Sequence, residues 1–194
     1  MLAEKSSDGK IKSGAILALV LEAFGAIWPA RQRFDGQSLG DAWFYPRWSR
    51  TLDIELQAVV PFHKLSQWLT YSLIEPLQEA GFTVTHIDEL TGLAEYRNGG
   101  LFVDGGALTL KDPENADRRH EPASPLVIEW RAMTVALLDE LHPLVAKELG
   151  FTLERFPLAC LLEGGTWAAG RWLAKQNRSD GRPPISIVSD GTVF

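Results

Sequence analysis

The stretch Leu126–Leu149, LVIEWRAMTVALLDELHPLVAKEL, decides the fold class. Its Leu126, Trp130, Met133, Leu137, Leu141, Leu144 and Val145 recur close to the 3.6-residue period of an α-helix. No other helical pattern in the chain is as long, and Pro143 is expected to kink it or divide it in two. Inside it stands Glu129-Trp130-Arg131. Residues two apart on a helix point to different faces, so one of this acid–base pair looks inward and the other outward. Charged side chains almost never bury unless paired. Arg131 is therefore a candidate clamp for another acid, held bidentately. The plainer alternative is a polar tie within the core.

Working outward toward the C-terminus, Phe156–Asn177 reads as the last helix, with Gly164, Gly165 and Gly170 inside it. Glycine in a helix costs about 1 kcal/mol relative to alanine. These glycines predict close backbone approach, helix to helix or helix to ligand. Glu163 sits on an otherwise apolar face just before the first two. A carboxyl desolvated there would have a raised pKa suited to acid–base work. Alternatively it pairs with a base and fixes helix packing. Trp167 and Arg171 follow, and Pro183–Val188 reads as extended.

Toward the N-terminus, His86–Glu95 is expected to be helical, stopped by Asn98-Gly99-Gly100. Glu95-Tyr96-Arg97 would then end that helix, and both charges could reach one pocket whose glycines admit a ligand close to backbone. Separate structural ion pairs are the alternative. Phe62–Ala80 carries a second helical pattern, opened by Pro61 and bent or ended by Pro76. At its start Lys64 lies by free helix N–H groups, a natural place for a phosphate; otherwise Lys64 reaches to solvent and His63 caps. Thr51–Ala58 reads as a short helix. Residues 31–50 read as an ordered loop anchored by Trp43, Phe44, Tyr45 and Trp48. Ser13 is expected to cap a buried helix running to Trp28, interrupted by Glu22 and too short to span a membrane. The organisation predicted is a flexible segment over 1–12 and a single, mainly α domain over 13–194 with minor short strands.

Composition agrees with a globular domain: 45% hydrophobic and 23% charged residues among 194. The net charge of -6 argues against general affinity for a nucleic-acid backbone. A single cysteine, Cys160, excludes an intrachain disulfide and fits a reducing cytoplasm. It lies in an apolar stretch and reads as inert core. The four histidines lack metal-ligand spacing, and no glycine-rich nucleotide loop is present, so no metal or cofactor is expected.

Four strings carry a family resemblance: Pro61–Leu73 (PFHKLSQWLTYSL), Leu90–Gly100 (LTGLAEYRNGG), Glu163–Arg171 (EGGTWAAGR) and Ser189–Phe194 (SDGTVF). They resemble the family of the fourth protein of the fungal URC uracil-catabolism pathway and its bacterial relatives. The resemblance runs from about Gly14 to Phe194, and only to the C-terminal half of those longer proteins, so the chain is expected to be a fragment, a natural short form, or one half whose remainder a partner chain supplies.

A remoter resemblance is to queuosine-salvage nucleotide N-glycosylases. Their Lys-x-x-Gln helix, acid-Tyr-Arg after Leu-Thr, Glu-x-Arg and Leu-Leu-acid with Trp are matched in order by Lys64 and Gln67, Leu90-Thr91 with Glu95-Tyr96-Arg97, Glu129 and Arg131, and Leu161-Leu162-Glu163 with Trp167. Glu stands for Asp at two positions. The resemblance implies a helical fold related to DNA glycosylases and hydrolysis of a bond between ribose phosphate and base. It implies Glu163 and Glu95 as catalytic acids. Lys64, Gln67, Tyr96, Arg97, Arg131 and Trp167 would bind substrate or phosphate, with Glu129 and Arg171 in support. The expected substrate is a ribosyl intermediate of pyrimidine breakdown, without nucleic acid or membrane. A non-catalytic binding or scaffolding subunit of the same pathway is the alternative.

Overall fold

The computed structural model describes residues 7–27, 32–47 and 58–188. In chain order the first elements are β1 (Lys10–Lys12), α1 (Ser13–Phe24) and a 3-10 turn (Gly25–Ile27). The short strands β2 (Arg33–Phe34), β3 (Gln37–Ser38), β4 (Ala42–Phe44) and β5 (Val59–Pro61) follow. Next come α2 (Lys64–Glu79), β6 (Thr83–Thr85) and a 3-10 turn (Ile87–Glu89). The remainder comprises α3 (Tyr96–Asp104), a 3-10 turn (Pro113–Ala116), β7 (Arg119–His120) and α4 (Pro125–Glu148). After α4 come α5 (Leu158–Leu161), a π-helical segment (Leu162–Trp167), α6 (Ala168–Asn177) and β8 (Ser186–Ile187). The protein is mainly α with a few very short strands.

Several boundaries differ from expectation, each for a local reason. Lys10–Lys12, read as flexible, pairs in parallel with Thr83–Thr85. Ser13 does not cap α1. Lys12 is the N-cap residue, and the Ser13 hydroxyl donates instead to the carbonyl of His86. The expected end of that helix at Trp28, most of the expected helix over 51–58, and the string over 189–194 lie outside the described residues. Pro61 ends a strand, and α2 begins at Lys64 behind a left-handed His63. Pro76 sits inside α2 without ending it, and Pro143 inside α4 likewise.

The largest revision concerns residues 86–104. Only Ile87–Glu89 turns, while Asn98-Gly99-Gly100 lies within α3. The helix starts there because the Glu95 side chain caps it, and the glycines are needed for packing rather than termination. A Cβ on Gly99 would stand 2.7 Å from Thr134 Oγ1 and 2.8 Å from Trp130 Nε1. The expected last helix is also divided, with the π-helical segment between α5 and α6. α4 keeps its expected span. Ser124 Oγ accepts from the Val127 amide and Pro125 occupies the first turn, both ordinary N-terminal devices.

Contacts divide the chain into two compact units: Met1–Ala42 with His63–Thr91, and Trp43–Phe62 with Gly92–Phe194. The core of the first unit is Ile11, Ile16, Val20 and Val84, with Leu69, Leu73 and Leu77 of α2 packed on it. The apolar period of α2 is thus spent on α1 and the β1–β6 pair. The second core gathers Trp43, Tyr45, Phe62, Ala94, Ile128, Trp130 and Ile185. Trp43 and Tyr45 are core side chains, which favours the packing role for those loop aromatics. Among the described residues no helix is long and apolar enough to cross a membrane.

Candidate functional site

In the second unit the polar residues converge on the head of α3. Glu95 is 7% exposed, and its carboxylate accepts from two backbone amides, Arg97 N at 2.7 Å and Asn98 N. A charged acceptor at a helix N-terminus gains from both the hydrogen bonds and the helix dipole. Glu95 and Arg97 therefore meet through backbone, while the Arg97 side chain goes elsewhere. Its guanidinium donates to the Gly181 carbonyl at 2.8 Å and lies 4.8 Å from the Tyr96 ring centroid.

Arg131 reaches the same place from α4. It is 0% exposed, donates from Nε to the Ala94 carbonyl at 3.2 Å, and lies 4.1 Å above the Phe62 ring. The inward–outward split expected for Glu129 and Arg131 is present. Glu129 faces outward, taking Arg47 at 2.7 Å and the hydroxyl of Tyr45. Burial, reinforced by the Glu129 carboxylate, raises the Tyr45 hydroxyl above its usual pKa of 10.0. The folded state thus holds this proton more tightly than the unfolded chain. Its contribution to stability is complete below pH 10.0 and is lost as pH climbs through the folded value. Tyr45→Phe is accordingly expected to cost about 1 kcal/mol at neutral pH and to flatten the alkaline fall in melting temperature. Melting curves from pH 8 to about 11 check this; parallel curves for the two proteins would refute it.

The π-helical segment joins the cluster through Thr166. Its hydroxyl donates to Asn98 Oδ1 at 2.9 Å, with the carbonyls of Leu162 and Leu161 at 3.3 and 3.4 Å. Asn98 Nδ2 donates in turn to the Leu93 carbonyl at 3.2 Å. Both side chains are buried. The hydroxyl has one proton and the shortest of these contacts is to Asn98, so the bond across to α3 is the one it makes best. Glu163, expected on a desolvated apolar face, is exposed on this segment. Trp167 carries the Arg171 guanidinium 5.0 Å from its ring centroid. Cys160, read as core, is exposed. The three glycines behave differently. A Cβ on Gly164 would meet nothing and one on Gly165 only an ordinary contact, whereas one on Gly170 would lie 2.1 Å from the Arg97 carbonyl oxygen.

Lys64 and Gln67 belong to the first unit. The N–H of Lys64 already donates to Asp41 Oδ2 at 3.0 Å, so a carboxylate occupies the place considered for a phosphate. Gln67 Oε1 accepts from the Thr91 amide at 3.4 Å, and the Tyr71 hydroxyl donates to the Thr91 carbonyl at 3.1 Å. Together they hold the chain just before Gly92. Among the described residues no group of three or more His, Cys, Asp or Glu could hold a metal ion.

Sequence reasoning missed Asn98 and Thr166, because Asn-Gly-Gly reads as a turn and Thr166 hides between a glycine pair and a tryptophan. It also missed the partly buried bidentate pair of Asp104 and Arg178, at 2.5 and 2.8 Å, which ties the end of α3 to the end of α6. These two lie far apart in the chain, and no local signal links them.

A family model described as "protein of unknown function (DUF1688)" matches residues 1–194. Protein urg3 of Schizosaccharomyces pombe is 50% identical over 171 residues, covering 87% of this chain and 41% of that protein. Uracil catabolism protein 4 of Lachancea kluyveri is 43% identical over 196 residues, covering 90% of this chain and 44% of that protein. The chain thus spans less than half the length of these relatives. No solved structure matches it. With a family match along its whole length and these two relatives beside it, the chain belongs to the DUF1688 family.

Proposed function

We propose that this protein acts in uracil catabolism as an N-glycosidase-like hydrolase of a ribosyl or ribosyl-phosphate intermediate, with ribosylurea the substrate to test first. The observation that carries the reading is the head of α3, where a buried carboxylate, Glu95, is held rigid beside a wholly buried Arg131. The name of the Lachancea kluyveri relative supplies the pathway. In the reaction the bond from the anomeric carbon to the urea nitrogen breaks, and its electron pair leaves with the nitrogen. The anomeric carbon gains oxocarbenium character, water oxygen bonds to it, and the proton released from water ends on the leaving nitrogen. Such a reaction uses one carboxylate to stabilise the cation and another to move the proton. Glu95 and Glu163 share these two roles. Arg97, Tyr96 and Trp167 bind the sugar or its phosphate, and Arg131 positions the Ala94–Glu95 backbone.

One observation favours a second reading, a non-catalytic binding or scaffolding subunit of the pathway. Both oxygens of Glu95 already serve backbone amides, the work of a structural cap. A rise in melting temperature with ribose 5-phosphate separates a small-molecule site from a scaffold.

The direct test is incubation of this chain, and of the full-length Schizosaccharomyces pombe relative, with ribosylurea and its 5-phosphate, following urea release. Glu95→Gln and Glu163→Gln are expected to lower kcat by about a hundredfold or more, with melting temperature controlling for the lost cap. Equal activity in both variants would sink the site, and no urea from either folded protein would sink the substrate.

A further inference from the structure

Asn98 stands where three hydrogen bonds meet in the second unit, and each goes to a different part of the candidate site. Its backbone amide donates to Glu95 Oε1, closing the cap of α3. Its Nδ2 donates to the Leu93 carbonyl at 3.2 Å, and its Oδ1 accepts from the Thr166 hydroxyl at 2.9 Å. A carbonyl can only accept, so Leu93 takes the NH2 side of the amide and turns Oδ1 toward Thr166, which must donate. Asn98 is 1% exposed and Thr166 3%. A valine at 166 would leave that oxygen buried without its donor.

Thr166 lies in the π-helical segment Leu162–Trp167, three residues after Glu163. π turns are rare, occur mostly as single turns inside α-helices and recur at functional sites. This one is gripped by the first turn of α3 at two points. Thr166 bonds to Asn98, and four residues on, Gly170 lies against the Arg97 carbonyl, where a Cβ would come within 2.1 Å of the oxygen. Two contacts to adjacent residues of α3, about one turn apart on their own helix, fix both the distance and the rotation of this stretch relative to α3. We infer that Asn98 and Thr166 are positioning residues: through them the segment that carries Glu163 is held in one register against the carboxylate of Glu95. The inference rests on the hydrolase reading for what the two acids do, and not for the link itself.

The test substitutes Thr166 in this chain and reads two quantities. Thr166→Val keeps the shape and removes the proton that Asn98 Oδ1 accepts, whereas Thr166→Ser keeps the proton. In Thr166→Val, amide hydrogen exchange over 162–167 is expected to quicken about tenfold or more relative to α4, and Thr166→Ser to restore it. Under conditions where the variant is fully folded, kcat for urea release from ribosylurea or its 5-phosphate is expected to fall about tenfold or more with KM little changed, and again to return with serine. Faster exchange shared equally by α3, α4 and 162–167 would make Thr166 an ordinary stabilising residue and overturn the inference. So would unchanged exchange, or an unchanged kcat in Thr166→Val. Absence of urea release from the unsubstituted protein would count against the hydrolase reading instead, and the exchange comparison would still decide the link. If Thr166→Val does not fold, Thr166→Ala removes the same proton and is read in the same way.

Discussion

Replacing Gly170 by alanine is expected to cost the second unit about 3 kcal/mol or more of its stability. A Cβ there would lie 2.1 Å from the Arg97 carbonyl oxygen and 2.9 Å from its carbonyl carbon. Both obstacles are backbone, and they belong to the first turn of α3, which Glu95 holds from one side and the Arg97 contact with Gly181 from the other. No rotamer change relieves the clash; α6 must move away from α3. That movement would pull on the Asp104–Arg178 pair, whose side chains are only 4% and 18% exposed. Overpacking of a core costs about 1–3 kcal/mol where side chains can yield, and a backbone collision belongs at or beyond the upper end. A domain has about 5–15 kcal/mol of stability in all. Urea melts of Gly170→Ala beside Gly164→Ala check the argument. Both glycines sit in helical backbone and the substitutions are chemically identical. Gly164, whose Cβ would meet nothing within 4 Å, should gain up to about 1 kcal/mol from helix propensity. Similar midpoints for the two variants would refute the close-packing account.

That contrast also marks how far the sequence could be read. Of the three glycines within residues 156–177, only Gly170 is in a close backbone approach. Propensity cannot tell an open glycine from a packed one, because the distinction depends on a helix more than sixty residues away. The long helix was legible to within a residue at each end from its 3.6-residue period alone; the part played by Ser124 and Pro125 in opening it emerges only in the structure. Its surface was not. Met133 and Leu144 continue the apolar stripe yet are 43% and 64% exposed, because periodicity reports a face and not what covers it. Residues 86–104 failed for the opposite reason. Asn98-Gly99-Gly100 is a strong stop signal by itself, and only Trp130 and Thr134, brought in by α4, convert it to a helix interior. Of the candidate site, the order of acids and bases along the chain was visible. That Arg131 would bury completely while Glu163 would stand in solvent was not, since both follow from which face of a helix meets a neighbour.

Arg131→Met is expected to cost about 3 kcal/mol or more, although methionine matches much of the volume and suits a buried site. The guanidinium is 0% exposed, so its removal strips the Ala94 carbonyl of a charged donor at 3.2 Å and the Phe62 ring of a cation at 4.1 Å. A hydrogen bond from a charged group contributes about 1.5–3 kcal/mol, and a desolvated cation–π contact about 2 kcal/mol. Arg131→Lys restores the charge without the planar fork, so it cannot place Nε on the carbonyl and a flat face on the ring together; it should rescue little. The two contacts can be apportioned by a double-mutant cycle with Phe62→Leu, where a coupling of about 1–2 kcal/mol is expected. Additive losses would mean that the ring is only a neighbour and that backbone capture carries the effect. Full rescue by lysine would mean that charge alone matters, and the account of Arg131 as the group that holds the Ala94–Glu95 backbone in place would fall. The hydrolase reading adds a second readout to the same variants. A positioning role predicts that kcat for urea release falls in Arg131→Lys even at temperatures where the variant is fully folded, while KM changes little, because a displaced Glu95 weakens the transition state more than the ground state.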